Sequence, residues 1–143
     1  MQKGIDYPGV SVVFFCHDGN GNYLLHKRSK NARDEQGRWD MGGGGLEFGD
    51  TVIEKLKEEI MEEFCAQVKK VEFLGYRDVH RKQNGAKTHW VALDFRVLID
   101  PSTVRIGEPH KFDDLGWFKI EALPQPLHSQ FAKALDQYKS RLI

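Results

Sequence analysis

Four consecutive glycines, Gly42 to Gly45, lead through Leu46-Glu47-Phe48-Gly49-Asp50-Thr51 into a glutamate-rich run from Val52 to Ala66. At about 100° per residue, Glu59, Glu62 and Glu63, spaced i, i+3 and i+4, fall on one flank of a helix. Like charges at that spacing weaken a helix by a few tenths of a kcal/mol per pair, unless a cation sits among them. Oxygen donors alone select a hard cation, Mg²⁺ or Mn²⁺. The glycines permit positive φ and close backbone approach, so their N–H groups can face a phosphate. Phosphate and a divalent cation are what the two halves share.

The helix that carries these acids has a readable start. Thr51 or Asp50 is a good N-cap, and Glu54 stands three residues after Thr51, the capping-box spacing. The helix is predicted from just before Val52 to about Phe64, with Ile53, Leu56, Ile60 and Phe64 as its apolar stripe.

At these residues the chain resembles the Nudix hydrolase family. That family's box is a Gly, five residues, Glu, seven residues, then Arg-Glu-aliphatic-any-Glu-Glu-any-Gly-aliphatic. Here the box falls on Gly44, Asp50, Glu58, Glu59, Ile60, Glu62, Glu63, Cys65 and Ala66. Gly44, Glu59, Ile60, Glu62 and Glu63 match outright, Asp50 keeps the charge on a shorter arm, and Glu58, Cys65 and Ala66 depart from the pattern. The box is thus degenerate. Trp39-Asp-Met-Gly-Gly-Gly-Gly-Leu-Glu-Phe-Gly-Asp resembles the family's entry to the box, with Gly42 where proline is usual. Glu108-Pro-His-Lys-Phe-Asp-Asp-Leu-Gly-Trp-Phe, followed by Leu123-Pro124, resembles its closing strand and turn.

The resemblance implies an α/β (α+β) fold in which a mixed β-sheet is sandwiched between helices. It also implies Mg²⁺-dependent hydrolysis of a nucleoside diphosphate linked to another moiety. The phrase from Gly45 to Asp50 is similar to MutT-like members that act on nucleoside triphosphates, giving NMP and pyrophosphate. ADP-ribose, a nucleotide sugar or an mRNA cap fragment is the alternative substrate, and an impaired domain that only binds nucleotide is the alternative function. By the same resemblance, Glu59 and Glu63 hold the metal, Glu62 is a further ligand or orients water, and Gly44 offers its carbonyl. Gly43 and Gly44 would lie against the phosphates, and Arg28, near the end of the second strand, would face them. Glu59 is the first candidate for general base and Glu108 the second. With Glu58 where the family has arginine, the donor that orients the metal-binding carboxylates is missing.

With 143 residues the chain suits one domain, 1–143. Lysine plus arginine equals aspartate plus glutamate at 21 each, so no net field exists to hold a nucleic acid polymer or an anionic membrane. A small nucleotide is the expected partner, and a homodimer stays open. No signal-like or spanning apolar segment occurs in the sequence, which makes a cytoplasmic protein the expectation. Cys16 and Cys65 form no metal or redox pattern and read as reduced, largely buried thiols. His26, His80, His89, His110 and His128 match no zinc spacing and receive no role.

The remaining elements follow from period and punctuation. Gly9 to Cys16 and Tyr23 to Arg28 read as a hairpin around Asp18-Gly-Asn-Gly-Asn. Ser29 to Arg38 reads as an exposed loop beside the substrate, and Trp39 as a packing aromatic. Val68 to Val79 is one strand, or two broken at Gly75, and Asn84-Gly85 is a hairpin turn. Thr88 to Ile99 alternates, with Trp90, Ala92 and Asp94 on one face and Val91, Leu93, Phe95 and Val97 on the other. Val104 to Asp114 reads as loop and Leu115 to Ile120 as the last strand. A closing helix from about His128 to Leu142 presents Phe131, Leu135, Tyr138 and Leu142 inward.

Overall fold

β-branched and aromatic residues make Gly9–His17 the central strand, β1, of a mixed seven-stranded sheet in the computed structural model, which describes residues 1–143. Its other members are β2 (Tyr23–Arg28), β3 (Trp39–Asp40), β4 (Gly42–Gly45), β5 (Val68–Gln83), β6 (Ala86–Ile99) and β7 (Phe112–Phe118). On one edge β1 runs parallel to β6, from Gly9↔Trp90 to His17↔Leu98; on the other it pairs antiparallel with β4, from Ser11↔Gly45 to Phe14↔Gly42. Helices α1 (Val52–Phe64) and α2 (Ser129–Leu142) cover opposite faces.

Alternation sorts the side chains. Val12, Phe14 and Cys16 of β1 and Phe95, Val97 and Ile99 of β6 join Leu56, Ile60 and Phe64 of α1 in one core. Val13, Phe15 and Ala92 join Phe131, Leu135, Tyr138 and Leu142 of α2 in the other. The predicted sandwich is therefore observed, as is the inner stripe of α2. Leu56, Ile60 and Phe64 have no exposed surface, and each such residue is worth about 1.5–3 kcal/mol by area removed from water. Cys16 and Cys65 are both free thiols, the first buried and the second half-buried.

Several expectations are corrected. Ile53 is 41% exposed, because Val52 packs against the core in its place. Thr51 occupies the N-cap position without a side-chain hydrogen bond. Asp50 is used in the preceding turn, where its carboxylate accepts from the Glu47 N–H at 2.8 Å. Val68 to Gln83 is one strand, with an irregularity between Phe73 and Gly75; Gly75 adopts φ 150° there. The last strand begins at Phe112, three residues before the expected Leu115, because Phe112 is buried and its ring stacks on His26 at 3.9 Å. It ends at Phe118, ahead of a short 3₁₀ turn at Ile120–Ala122. The segment 29–38 is not wholly exposed: Ser29 is buried, and Asp34 and Glu35 are tied to Arg81.

Two joints flank β6. Asn84 and Gly85, at φ 50° and 80°, form the left-handed turn predicted between β5 and β6. Beyond β6 the chain docks on the end of α1, where the amides of Arg105 and Gly107 donate to the carbonyls of Phe64 (3.1 Å) and Glu63 (2.9 Å). These bonds satisfy carbonyls that a helix end leaves open. Gly107 lies so close to the Glu62 carbonyl that a Cβ would overlap it. That contact delivers Glu108 to the acidic flank.

Candidate active site

A cleft of about 880 Å³ opens between the acidic flank of α1, the glycines of β4 and the exposed part of the β1–β6–β5 face. Glu59, Glu62, Glu63, Glu108, Arg28, Gly43 and Gly44 all line it, so every residue expected to act is brought to one place.

The three helix acids share that flank and are graded in depth across it. Glu63 is 4% exposed and Glu62 is exposed. The Glu59 side chain lies between, at 15%. Burial pushes the Glu63 carboxyl well above its ordinary range, and the neighbouring Glu59, Glu108 and Asp40 push it further, with only the Gly43 backbone opposing. Partial loss of hydration and the fields of Glu59 and Glu58 also raise Glu62. Lys55 meets Glu59 at 3.1 Å, whereas no cationic side chain offsets the charge of Glu63. A buried carboxylate without a compensating charge is costly, so Glu63 favours its protonated form unless a cation from outside the chain joins it.

Gly44 explains why the loop in front is glycine. A Cβ at that position would overlap the Glu59 carboxyl, so the backbone and the acid share one cradle. Gly42 is constrained differently, by the ring of Phe14. Pairing with β1 holds both glycines in place.

Arg28 lines the cleft at the end of β2, but its fork is engaged: Nη2 donates to Asp34 Oδ1 at 2.8 Å and Nε to the Asp34 carbonyl at 3.0 Å, while Nη1 lies 3.8 Å from Asp40. Glu108 has Lys111 3.4 Å away.

Asp40, His26 and Lys55 carry weight that the sequence reading did not assign. Asp40 sits across from His26 in the β2–β3 pair. Its Oδ1 and the Nδ1 of His26 are buried without hydrogen-bond partners. Burial raises Asp40 to about 7, with Arg28 and the Met41 amide opposing. Burial, then the charges of Arg28 and His128, lowers His26 to about 3, so its ring is neutral. The available signal was a charged residue between Trp39 and Met41 in a strand otherwise built to pack.

The donor set suits a hard divalent ion. All candidate ligand atoms are oxygens, the Gly44 cradle leaves room only for backbone beside Glu59, and Asp40 keeps an unpartnered oxygen in the same cleft. A second cluster, Asp34, Glu35 and His128, brings its ligand atoms within 4.8 Å of one another. Its charges are already answered: Arg81 reaches Asp34 at 3.0 Å and Glu35 at 2.7 Å, and His128 reaches Glu35 at 3.0 Å. That cluster is an ion-pair network which ties segment 29–38 to the start of α2, where Glu35 also accepts from the Ser129 amide at 2.8 Å.

The NUDIX domain family model matches residues 7–138. A protein named nucleoside triphosphatase NudI from Enterobacter sp. (strain 638) is 32% identical over 120 residues, which are 79% of this chain and 84% of that protein. The MutT NUDIX hydrolase from Burkholderia pseudomallei superposes with a TM-score of 0.80 at 30% identity, covering 92% of this chain and 98% of that one. The NUDIX domain of Shewanella oneidensis NrtR, solved with ADP ribose, shares the fold with a TM-score of 0.73 at 18% identity, over 100% of this chain and 91% of that one. The chain belongs to the Nudix family and is a MutT-like Nudix hydrolase.

Proposed function

We propose that this hydrolase cleaves a nucleoside triphosphate to a nucleoside monophosphate and pyrophosphate, using Mg²⁺, with Mn²⁺ able to substitute. The observation that carries the metal reading is Glu63, a buried carboxylate crowded by Glu59, Glu108 and Asp40 and paired with no cation of the chain. The substrate reading is supported by the nucleoside triphosphatase named among the relatives and by a cleft large enough for a small nucleotide.

In this reading Glu59, Glu63 and the Gly44 carbonyl hold the metal, and Glu62, the most exposed of the three acids, completes its shell or orients a water. Bound there, the ion would neutralise phosphate oxygens and make a water more acidic. The amides of Gly43 and Gly44 and the guanidinium of Arg28 are the chain's own donors for the phosphates. Arg28 does this from a fixed position, because Asp34 immobilises its fork. Glu59 is the first choice to take the proton of the attacking water and Glu108 the second. Lys111 leaves Glu108 paired, which weakens its case.

The test is turnover across a panel of nucleoside triphosphates, ADP-ribose and nucleotide sugars with Mg²⁺ or Mn²⁺, read by release of pyrophosphate or nucleoside monophosphate. Pyrophosphate from at least one triphosphate is expected. Cleavage of ADP-ribose or a sugar nucleotide alone would overturn the substrate, and no turnover with either metal would leave a nucleotide-binding domain.

A further inference from the structure

Glu59 is held by one cation of the chain, and that cation is on its own helix. Lys55 Nζ lies 3.1 Å from Glu59 Oε1, at i, i+4, with only 12% of the lysine side chain exposed. Glu58, which occupies the box position next to Glu59, points outward at 56% exposure and meets the same ammonium only at 4.0 Å. The other basic residue of α1, Lys57, is exposed. The Glu59 carboxyl also lies against Gly44, where a Cβ would overlap Cδ and stand 2.7 Å from Oε1. The carboxyl is thus held by a backbone and an ammonium, with Oε1 engaged.

We infer that Lys55 is a positioning residue for the metal-binding Glu59, and that it does from one turn earlier what a donor at position 58 cannot do in this chain, where Glu58 can only accept. This inference rests on the metal reading above. A lysine suits the place because its compact ammonium can turn to hold one carboxylate oxygen and leave the other free. Groups that orient ligands in this way typically change metal affinity about ten- to a hundredfold when removed.

The experiment is a titration with Mn²⁺ alone, read by electron paramagnetic resonance, which needs no turnover. Thermal melts and the Mg²⁺ dependence of activity accompany it. Lys55→Met is expected to fold, to bind Mn²⁺ about tenfold or more weakly, and to need correspondingly more Mg²⁺. Lys55→Arg should stay within about threefold of the parent, since the charge and a donor remain. Glu58→Arg on the Lys55→Met background should recover most of the lost affinity, a rescue that a purely helix-stabilising pair would not give. Unchanged or tighter Mn²⁺ binding by Lys55→Met would overturn the role and make the ammonium a competitor of the metal. Failure of the Glu58→Arg rescue would overturn the substitution of one donor for the other. Absence of Mn²⁺ binding by the parent itself would instead overturn the metal reading, and the role of Lys55 with it.

Discussion

Glu63 carries opposing demands on stability and chemistry. Its carboxyl is buried among Glu59, Glu108 and Asp40, so the metal-free fold must either bear an uncompensated charge or take up a proton that the unfolded chain does not hold at neutral pH. Glu63→Gln removes that charge and keeps the shape. The expected result is turnover lower by orders of magnitude together with a metal-free protein more stable by about 1–3 kcal/mol, measured by urea denaturation in EDTA. Glu59→Gln should lose activity similarly without the gain in stability, because Lys55 already compensates Glu59. Near-parental turnover of either variant at saturating Mg²⁺ would remove it from the ligand set. At this scale the sequence was legible where acids recur at helical spacing. It was illegible at Asp40 and His26, which meet only because β2 and β3 pair. No local pattern announces a cross-strand neighbour. The depth of Glu63 against Glu62 needs no long-range information: Glu63 stands i+7 from Leu56 and i+3 from Ile60, beside the buried stripe, whereas Glu62 lies nearly opposite it.

At the level of elements, the alternation of β1 and β6 and the stripes of both helices could be read directly, because side-chain period decides which face is buried. The strand β4 could not be read that way. Four glycines have no side chains to alternate, and their identity as a strand depends on the free edge of β1 that they complete. The parallel pairing of β1 with β6 was likewise invisible, as residues 9–17 and 90–98 are far apart in sequence. The same geometry makes Gly44 testable. A methyl group there would overlap the Glu59 carboxyl, so Gly44→Ala must displace the acid or part β4 from α1. We expect loss of most activity and weaker metal binding with a modest destabilisation of about 1–3 kcal/mol, while Gly49→Ala, in a turn with open space around it at φ 92°, should leave metal binding intact and cost only the backbone strain. Equal metal affinity in the two variants would show that the cradle is not required.

The whole molecule integrates charge, and two bulk measurements follow from that. Mg²⁺ or Mn²⁺ should raise the melting temperature by binding only the folded state, and the Glu59→Gln/Glu63→Gln double variant should lose the shift; an unchanged shift would place the metal elsewhere. Through the buried histidines, acid should act in the opposite sense. Burial holds His26 at about 3, below its ordinary 6.5, and holds His17 and His128 at about 4. Between those values and 6.5 the unfolded chain binds protons that the folded chain refuses, so stability is complete above pH 6.5 and falls as pH drops through this window. For one fully refused proton the slope is about 1.4 kcal/mol per pH unit. Asp40 works against this: its folded value of about 7 exceeds its ordinary 3.8, so between them the folded state holds the extra proton and gains stability as pH falls. The raised carboxyls of Glu63 and Glu62 act in the same sense as Asp40, so the acids oppose the histidines between pH 6.5 and pH 5 and a variant is needed to read either side alone. His26→Leu isolates one contribution, because it removes the titration and the unpartnered Nδ1 while leaving an apolar side chain against Phe112. Denaturant melts at pH 7.5 and pH 5.0 should show the variant losing about 2 kcal/mol less than the parent over that interval. Parallel losses in both would mean that His26 takes its proton without unfolding, through the cleft it lines.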